Sequence, residues 1–345
     1  MFKIGPSIIG QENKPFIIAE VAQAHDGSLG FAHSFIDAAA ESGADAIKFQ
    51  THIAHAESTK DESFRIPMSG QDETRYDYWK RMEFAEEQWA GLFKHAEEKN
   101  IVLLSSAFSV EAVHLLKKFN MPAYKIGSGE FKSNELIEAM LETGMPILFS
   151  TGMSTYEEVA EIADTLKHRD TSFALFQCTS NYPTKLEHVG INVLDEYATA
   201  HGCPVGLSDH SGTPYPSLMA MARGASLIEV HVTFDRRMYG PDAVASITFD
   251  ELSMLCKARD AFHVIKQNPV DKDQMADRMQ QMRNLFTKSI ALVEDQIAGT
   301  ILTSDILTPK KPGTGIPYSD RGKVIGKRLT QNVPADRLLK KEDFE

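Results

Sequence analysis

The feature that most constrains the fold is a repeat of short apolar segments, each followed by polar residues and then by a helix-like segment. Eight such units occupy about 250 of the 345 residues. Continuous apolar strands that alternate with helices predict a parallel sheet covered on its outer face. Eight units of this length predict a (β/α)8 TIM barrel. An open doubly wound sheet is the alternative, but polar residues end every strand and not only those beside one switch point.

Two of the apolar segments end in a histidine. Residues 205–212 contain His210, and residues 227–233 contain His231, on the seventh and eighth predicted strands. In a barrel these two strands are neighbours, so the imidazoles converge on the face where the strands end. Two histidines with acidic neighbours suit a divalent metal with open positions. A hydrogen-bonded structural role is the alternative for either histidine alone.

The other strand ends carry lysines, hydroxyls and carboxylates. Lys48, Lys125 and the Gly127–Gly129 turn suit an anionic, oxygen-rich group such as a phosphate with a carboxylate. Lys48 could instead pair with a carboxylate inside the barrel. Polar groups on every strand end are costly to bury unless they meet one another or a ligand. The predicted rim comprises Glu20, Lys48, Gln50, Ser105, Ser106, Lys125, Ser128, Glu130, Ser150, Thr151, Gln177, Thr179, Ser180, Tyr182, Ser208, His210, Glu229 and His231.

Composition excludes several classes of function. The net charge is −12 and no dense basic run occurs, which argues against a nucleic-acid binder. No apolar run approaches the roughly 20 residues that cross a bilayer, and residues 1–16 lack the apolar core of a signal peptide. Three cysteines without paired spacing indicate a reducing compartment. A cytoplasmic protein that binds neither membrane nor nucleic acid is therefore predicted.

The sequence patterns predict that the chain is organised in three segments. Residues 1–267 are predicted to form the barrel, 268–286 a charged connector, and 287–345 a small second unit. The second unit has a weak internal repeat, 297–306 against 333–344, and each copy is expected to form a strand, a turn and a short helix. About 60 residues are marginal for an independent core, so this unit is expected to dock on another surface.

Residues 51–84 interrupt the strand–helix rhythm. The segment is long for a loop and follows the second strand, on the predicted catalytic face, which favours a substrate lid over a plain surface excursion. His25, His52 and His55 lie in predicted loops and are expected to be solvated. Cys178 at a strand end is expected to be an inert apolar filler.

Taken together, the ordered motifs resemble the sialic acid synthase (N-acetylneuraminate synthase) family over nearly the whole chain. The C-terminal motifs resemble the family's small β-rich antifreeze-like (SAF) domain. The motifs are Ile18–Glu20 with His25–Gly27, Ile47–Thr51, Tyr124–Glu130, Ser150–Met153, Cys178–Pro183, Gly206–His210, Glu229–His231 with Gly240–Asp242, Lys311–Gly315 and Val324–Lys327.

The resemblance implies an enzyme that condenses phosphoenolpyruvate (PEP) with an N-acetylated sugar aldehyde and water. The acceptor would be N-acetylmannosamine or a related bacterial hexosamine, and the products a nonulosonic (sialic-type) acid and phosphate. The resemblance also implies a domain-swapped homodimer. A family arginine that contacts the sugar N-acetyl group is replaced here by Lys311, whose ammonium lacks the planar guanidinium fork.

The resemblance also implies a role for each matched residue. His210 and His231 would bind Mn²⁺ or Mg²⁺, which polarises the aldehyde. The residues implied to bind PEP are Lys48, Ser106, Lys125, Ser128, Ser150, Ser180 and Ser208. Those implied to contact the sugar are Gln50, Tyr182 and Lys311. Those implied to move protons, order water or contact the sugar are Glu20, Glu130 and Asp242.

Three other functions remain alternatives. Another PEP-dependent aldol-type synthase would not normally carry the C-terminal unit. A metal-dependent hydrolase barrel usually has His-x-His at the end of its first strand, where this chain has Ala19–Val21. A carbohydrate-binding or ice-binding protein would not require the complete rim of lysines and histidines on the barrel.

Overall fold

The computed structural model of the protein describes residues 1–66 and 70–345, and it divides into two compact units. The first runs from Met1 to Gln267 and the second from Asn268 to Glu345. Each unit has its own cluster of buried apolar side chains. Within the described residues, no helix has both the length and the apolar character that a membrane span requires.

An N-terminal hairpin precedes the barrel in the first unit. Its strands β1 (Phe2–Ile4) and β2 (Ser7–Ile9) are antiparallel, with a turn at Gly5. Eight parallel strands, almost entirely buried, then form the central sheet. They are β3 (Phe16–Ala22), β4 (Ala46–Thr51), β5 (Val102–Ala107), β6 (Tyr124–Ile126), β7 (Ile147–Ser150), β8 (Phe173–Cys178), β9 (Val205–Asp209) and β10 (Leu227–Thr233).

The sheet closes on itself, which confirms the predicted TIM barrel and excludes the open sheet. Strand β10 pairs in parallel with both β9 and β3, so the last strand completes the ring. Across this seam His231 lies opposite Glu20, which in turn lies opposite Lys48 on β4. Ser106 lies opposite Lys125 in the same way. Register therefore brings residues that are distant in the chain to the same level of the barrel.

Helices connect the strands and cover the outside of the barrel. Their buried residues recur every three or four positions, as Val159, Ala163 and Leu166 do in the helix after β7. That helix begins with a capping box, because Thr155 and Glu158 satisfy each other's backbone N–H groups. The helices are α1 (Leu29–Glu41), α2 (Ala54–Glu57), α3 (Arg75–Met82), α4 (Glu86–Glu98), α5 (Val110–Lys117), α6 (Asn134–Leu141), α7 (Tyr156–His168), α8 (Asn192–His201), α9 (Tyr215–Ala222) and α10 (Phe249–Gln267), with a two-residue strand β11 (Ile247–Thr248) before the last.

A buried ion pair ties the last helix to the start of the barrel. Arg259 of α10 contacts the carboxylate of Asp45, which precedes β4. The same carboxylate accepts a hydrogen bond from the backbone N–H of Ile17, 2.8 Å away, at the start of β3. Since this lies at the amino ends of the strands, we interpret the pair as a support for the fold.

The second unit contains two helices and a two-stranded sheet around a small core. Its elements are α11 (Lys272–Arg278), α12 (Gln280–Phe286), β12 (Ser289–Leu292) and β13 (Leu307–Lys310). The strand–turn–helix expected in each copy of its weak repeat is wrong. The described residues of the two copies make only isolated β-bridges, through Ile301 in the first copy and through Val333, Leu338 and Phe344 in the second. The single helical turn is the 3₁₀ turn Lys341–Asp343 in the second copy.

The Arg259–Asp45 pair generates a prediction about stability. Replacing Arg259→Met should lower the free energy of unfolding by about 3–5 kcal/mol, because the carboxylate of Asp45 stays largely buried without its cation. Urea unfolding followed by circular dichroism measures this. The control is Lys94→Met, whose partner Glu98 is 3.8 Å away and whose side chain is 77% exposed. It should change stability by less than about 1 kcal/mol. Equal effects of the two substitutions would contradict the assignment.

Candidate active site

A cavity of about 520 Å³ opens at the carboxyl ends of the barrel strands. Every one of the eight strands contributes to its lining, either directly or through the residues that follow it. Of the predicted rim, Ser105, Thr151, Gln177 and Thr179 do not line this cavity, because their side chains bond elsewhere in the fold, as Ser105 does to Thr51 at 2.7 Å. All the residues of the first unit to which the resemblance gives a role do line it. They are Glu20, Lys48, Gln50, Ser106, Lys125, Ser128, Glu130, Ser150, Ser180, Tyr182, Ser208, His210, His231 and Asp242. The remaining predicted residue, Lys311, belongs to the second unit, where its ammonium lies 5.0 Å from the ring centre of Phe286.

Four charged side chains form a cluster at the bottom of this cavity. The ammonium of Lys48 lies 2.8 Å from Glu20 and 3.7 Å from Glu229, and that of Lys125 lies 3.2 Å from Glu229. All four side chains are at most 6% exposed. Because each charge has an opposite partner, the cluster offsets part of the cost of removing it from water. The alternative that Lys48 pairs with a carboxylate is confirmed, and Glu229, which had no predicted role, lies between the two lysines.

The two carboxylates of this cluster titrate differently. Burial raises the pKa of Glu20 from its ordinary 4.5 to about 7, against the opposing effect of Lys48. Burial also acts to raise the pKa of Glu229, but Lys125 and Lys48 outweigh it and lower that pKa to about 2. We attribute the difference to the number of cations, since Glu229 contacts two lysines and Glu20 one. Glu20 can therefore exchange a proton near neutral pH, as a general acid or base must.

Hydroxyl groups surround the two lysines. Lys48 donates to the hydroxyl of Ser106 at 3.0 Å, and Lys125 donates to that of Ser150. The hydroxyls of Ser150 and Ser208 are 3.3 Å apart. Ammonium and hydroxyl donors converging on one space are suited to bind the oxygens of a phosphate or carboxylate.

A glycine allows two more hydroxyls to approach. A Cβ at Gly152 would lie 2.5 Å from the hydroxyl of Ser180 and 2.8 Å from that of Ser128. The backbone N–H of Gly152 donates to Ser128 at 3.0 Å. Only glycine fits between them, so the turn after β7 can approach the cavity floor. Cys178 lies beside Ser128, and burial raises the pKa of its thiol, which fits the expected inert filler.

The two histidines lie together on one side of the cavity. Their ring centres are 5.1 Å apart, and burial lowers the pKa of each imidazole to about 3. Nδ1 of His210 is 3.0 Å from the carbonyl oxygen of Thr179, so this nitrogen carries the proton and donates. Nε2 of His210 therefore keeps its lone pair, 3.1 Å from the hydroxyl of Tyr182. Neutral imidazoles held by a carbonyl in this way are suitable metal ligands.

The number of side chains that could bind a metal in this cavity is small. Residues 1–66 and 70–345 contain no group of three or more His, Cys, Asp or Glu side chains placed to hold an ion. His210 and His231 alone would thus supply two ligands and leave the other positions to water or substrate. Asp242 lies close by, with its carboxylate 3.9 Å from Nδ1 of His231. The residues present fit an open site of this kind and do not fit a closed structural one.

The segment 51–84 forms the outer wall of the cavity, so it is more than a surface excursion. Its helices pack Ala54, Tyr78, Trp79 and Met82 into a small apolar cluster of their own. Its Arg65 donates to Asp242 at 2.8 Å and stacks over the ring of Tyr182 at 4.3 Å. Part of the proposed lid, residues 67–69, lies outside the described residues.

The expectation that His25 and His52 are solvated is wrong. Both are buried, and only His55 is exposed. The ring of His52 is stacked between Trp79 and Phe108, with ring centres 4.0 and 4.7 Å away. The local sequence contains no signal of this, because Trp79 comes from a distant part of the segment.

His52 also links the outer wall to the charged cluster. Its Nδ1 is 2.6 Å from the carboxylate of Glu57, and its Nε2 is 3.2 Å from Gln50. Gln50 in turn donates to Glu20 at 3.0 Å. A continuous line of hydrogen bonds therefore connects Glu57 to Glu20 through His52, the amide of Gln23 and Gln50. Sequence patterns did not identify His52, Glu57 or Gln23, whose amide contacts Gln50 and His52.

Glu130 occupies a different place from the other predicted acids. It lies in a 3₁₀ turn, Ser128–Glu130, and its carboxylate accepts a hydrogen bond from Ser133 at 2.5 Å. It lines the same cavity as Glu20 and Asp242, the other two acids predicted to move protons, but its carboxylate is bound to Ser133 and not to the lysines of the charged cluster.

Comparison with known proteins adds independent information. A model described as the NeuB family matches residues 35–269. The chain is 31% identical to N,N'-diacetyllegionaminic acid synthase of Campylobacter jejuni, over 95% of this chain and 99% of that one. It is also 31% identical to the human N-acetylneuraminate-9-phosphate synthase, over 97% of this chain and 94% of that one. Among solved structures, the N-acetylneuraminic acid synthetase of Leptospira borgpetersenii has a TM-score of 0.72 at 28% identity, covering 81% of this chain and 96% of that one.

The raised pKa of Glu20 predicts how stability depends on pH. Between pH 4.5 and about 7 the folded state holds a proton that the unfolded state has released, so stability falls as pH rises. Glu20→Gln removes this dependence. The variant should therefore gain up to about 3 kcal/mol relative to the unmodified protein as the pH rises to about 7, and the difference should stay constant at higher pH. Urea midpoints in metal-free buffer at several pH values measure the difference. Glu135→Gln, on an exposed position of α6, should show no such trend. A difference in stability between Glu20→Gln and the unmodified protein that does not change with pH would contradict the prediction.

Proposed function

The chain belongs to the NeuB family, and from this premise we propose that it joins PEP to an N-acetylated sugar aldehyde. Carbon 3 of PEP forms a bond to the carbonyl carbon of the aldehyde. The carbonyl oxygen takes up a proton and becomes a hydroxyl group. Water adds to carbon 2 and loses a proton, and the C–O bond to phosphate then breaks. The products are a nonulosonic acid and inorganic phosphate. The observation that carries the proposal is the lysine and hydroxyl cluster that shares one cavity with a pair of neutral histidines.

The charged cluster is the proposed binding site for PEP. Lys48 and Lys125 would hold its phosphate and carboxylate, together with the hydroxyls of Ser106, Ser128, Ser150, Ser180 and Ser208. When Glu20 is protonated, the cluster contains two ammonium groups and one carboxylate and is therefore net positive. A net positive, water-poor site stabilises the anion more strongly than the same charges would in solution. The proton on Glu20 is thus proposed to assist PEP binding before it takes part in catalysis.

The histidine pair is the proposed metal site. His210 and His231 would hold Mn²⁺ or Mg²⁺, which would act as a Lewis acid on the aldehyde oxygen. Gln50, Tyr182 and Asp242 border the same part of the cavity and are proposed to orient the sugar or the attacking water. Glu20 is proposed to move a proton, and Gln50 orients its carboxylate by donating a hydrogen bond to it at 3.0 Å. Glu130 is proposed to act nearer the cavity rim.

The second unit is proposed to be an antifreeze-like (SAF) domain. Its core of Ile290, Leu292, Leu302, Leu307, Val324, Leu329, Val333 and Leu339 is small for an independent fold, which favours a docked role. We further propose a domain-swapped homodimer in which Lys311 contacts the acceptor sugar. The three cysteines are unpaired, which supports a cytoplasmic location.

The proposed activity predicts a substrate-dependent release of phosphate. Purified protein mixed with PEP, Mn²⁺ and a panel of N-acetylated hexosamines should liberate phosphate only when an acceptor sugar is present. A chelator should stop the release, and added Mn²⁺ should restore it. A colorimetric phosphate assay and mass spectrometry of the keto acid measure both. If no sugar in the panel triggers release, the proposal is wrong.

The metal assignment predicts the effect of losing one imidazole. His231→Ala should lower kcat by at least about 100-fold, because one of two protein ligands is lost. His55→Ala serves as the control, since His55 is exposed and is not one of the residues that line the cavity. Thermal unfolding should show that both variants remain folded, and calorimetric titration with Mn²⁺ should show weakened binding only for His231→Ala. Full activity of His231→Ala would refute the assignment.

A further inference from the structure

A line of buried polar side chains connects the outer wall to Glu20. His52 follows β4 directly, and Glu57 is the last residue of α2. The two side chains are 2% and 6% exposed, and Gln23, which lies between His52 and Gln50, is buried too. Because buried polar groups are costly unless they are paired, the partners along this line fix which atom donates in each hydrogen bond.

Glu57 sets the tautomer of His52. Nδ1 of His52 lies 2.6 Å from the carboxylate of Glu57, and an ionised carboxylate can only accept. In the neutral imidazole the proton therefore lies on Nδ1, and Nε2 keeps its lone pair. Trp79 and Phe108 stack on the ring at interplanar angles of 14° and 7°, which holds the plane of the imidazole between them.

Gln23 transmits this polarity to Gln50. The amide nitrogen of Gln23 lies 3.2 Å from Nε2 of His52 and donates to that lone pair. The same nitrogen donates to the amide oxygen of Gln50, and an NH2 group has one hydrogen for each acceptor. The oxygen of Gln50 therefore faces Gln23, and its nitrogen is left to donate to Glu20 at 3.0 Å.

The direction of the Gln50 amide matters because its two ends have opposite hydrogen-bonding character. With the nitrogen toward Glu20, one N–H is used by the carboxylate and the second is available to a ligand in the cavity, which Gln50 lines. Glu20 alone does not fix this direction, because a protonated carboxyl group could donate to the amide oxygen instead. The donor that fixes it is Gln23, and Gln23 is held by the lone pair of His52.

We propose that His52 is a positioning residue for the reaction. Through Gln23 it holds the nitrogen of Gln50 toward Glu20 and toward the cavity, where the N–H would bind an oxygen of the acceptor sugar or of the attacking water. Glu57 takes part by fixing the tautomer of His52. The inference rests on the proposed function. The line of hydrogen bonds contains none of the groups proposed to bind PEP, so its loss should affect the acceptor more than PEP.

Two substitutions of His52 test the inference, because each keeps a different half of the imidazole. His52→Gln can place an amide oxygen near the position of Nε2, where it accepts from Gln23. His52→Asn is shorter and can keep only the bond to Glu57. Both remove the ring that Trp79 and Phe108 enclose, so the loss of packing is matched. Initial rates of phosphate release are measured with Mn²⁺, PEP and either N-acetylmannosamine or a di-N-acetylated 6-deoxyhexose, whichever the unmodified protein uses faster.

A positioning role predicts unequal effects of the two substitutions. We expect kcat/KM for the acceptor to fall about tenfold in His52→Asn and at most about threefold in His52→Gln. The KM for PEP should change less than about twofold in both. Equal effects of the two variants, or a KM for PEP that rises as much as kcat/KM for the acceptor falls, would overturn the inference and leave the proposed function standing. Absence of release by the unmodified protein with both acceptors would overturn the proposed function and the inference with it.

The tautomer of His52 provides a readout that does not depend on activity. In protein labelled with ¹⁵N at histidine, NMR of the imidazole nitrogens should show His52 protonated at Nδ1, and the signal is assigned by its absence from His52→Asn. Glu57→Leu should move the proton to Nε2 and lower kcat/KM for the acceptor about tenfold, as His52→Asn does. Glu73→Leu makes the same change on an exposed position of the segment 51–84 and should alter neither. A proton on Nε2 of His52 in the unmodified protein would overturn the inference.

Discussion

The buried arrangement of Lys48, Glu20, Glu229 and Lys125 is the constraint on which the site depends. Four charges removed from water are tolerable only if each keeps an opposite neighbour at short range. The closed barrel meets this condition. Glu20 on β3 lies opposite Lys48 on β4, and closure at the β10–β3 seam places Glu229 opposite Ile18, two residues before Glu20. An open sheet would leave its first and last strands apart, and the cluster would lose two of its members.

The barrel fold and many of the cavity residues could be predicted from the sequence. The contacts among those residues could not, for physical reasons that can be stated. Strand periodicity and a polar residue at each strand end were enough to predict the barrel and much of the cavity floor, but they did not identify Gln23, His52 and Glu57, which also line the cavity. The part played by Glu229 was not predictable, because it depends on which lysines its strand faces after closure. His52 was misjudged because its burial depends on Trp79 and Phe108, which belong to other elements. Local patterns identify which residues meet at a rim, whereas pairing among them is a property of the assembled fold.

Two different parts of the first unit surround the cavity. The groups proposed to bind PEP stand on strand ends or on the turns directly after them. The outer wall comes from a single excursion between β4 and α4 and is joined to the strands through Glu57, His52, Gln23, Gln50 and Glu20. This line of hydrogen bonds connects the wall directly to Glu20, whose pKa is raised by burial.

The excursion also has an apolar cluster of its own, formed by Ala54, Tyr78, Trp79 and Met82. A segment that packs largely against itself can diverge in sequence without disturbing the barrel core that it covers. Related barrels that keep the same residues at their strand ends could thus change the acceptor sugar that they use during evolution, by replacing one stretch of about thirty residues. The same property makes this stretch a natural unit for transplantation between related barrels, with the junctions placed at the end of β4 and the start of α4.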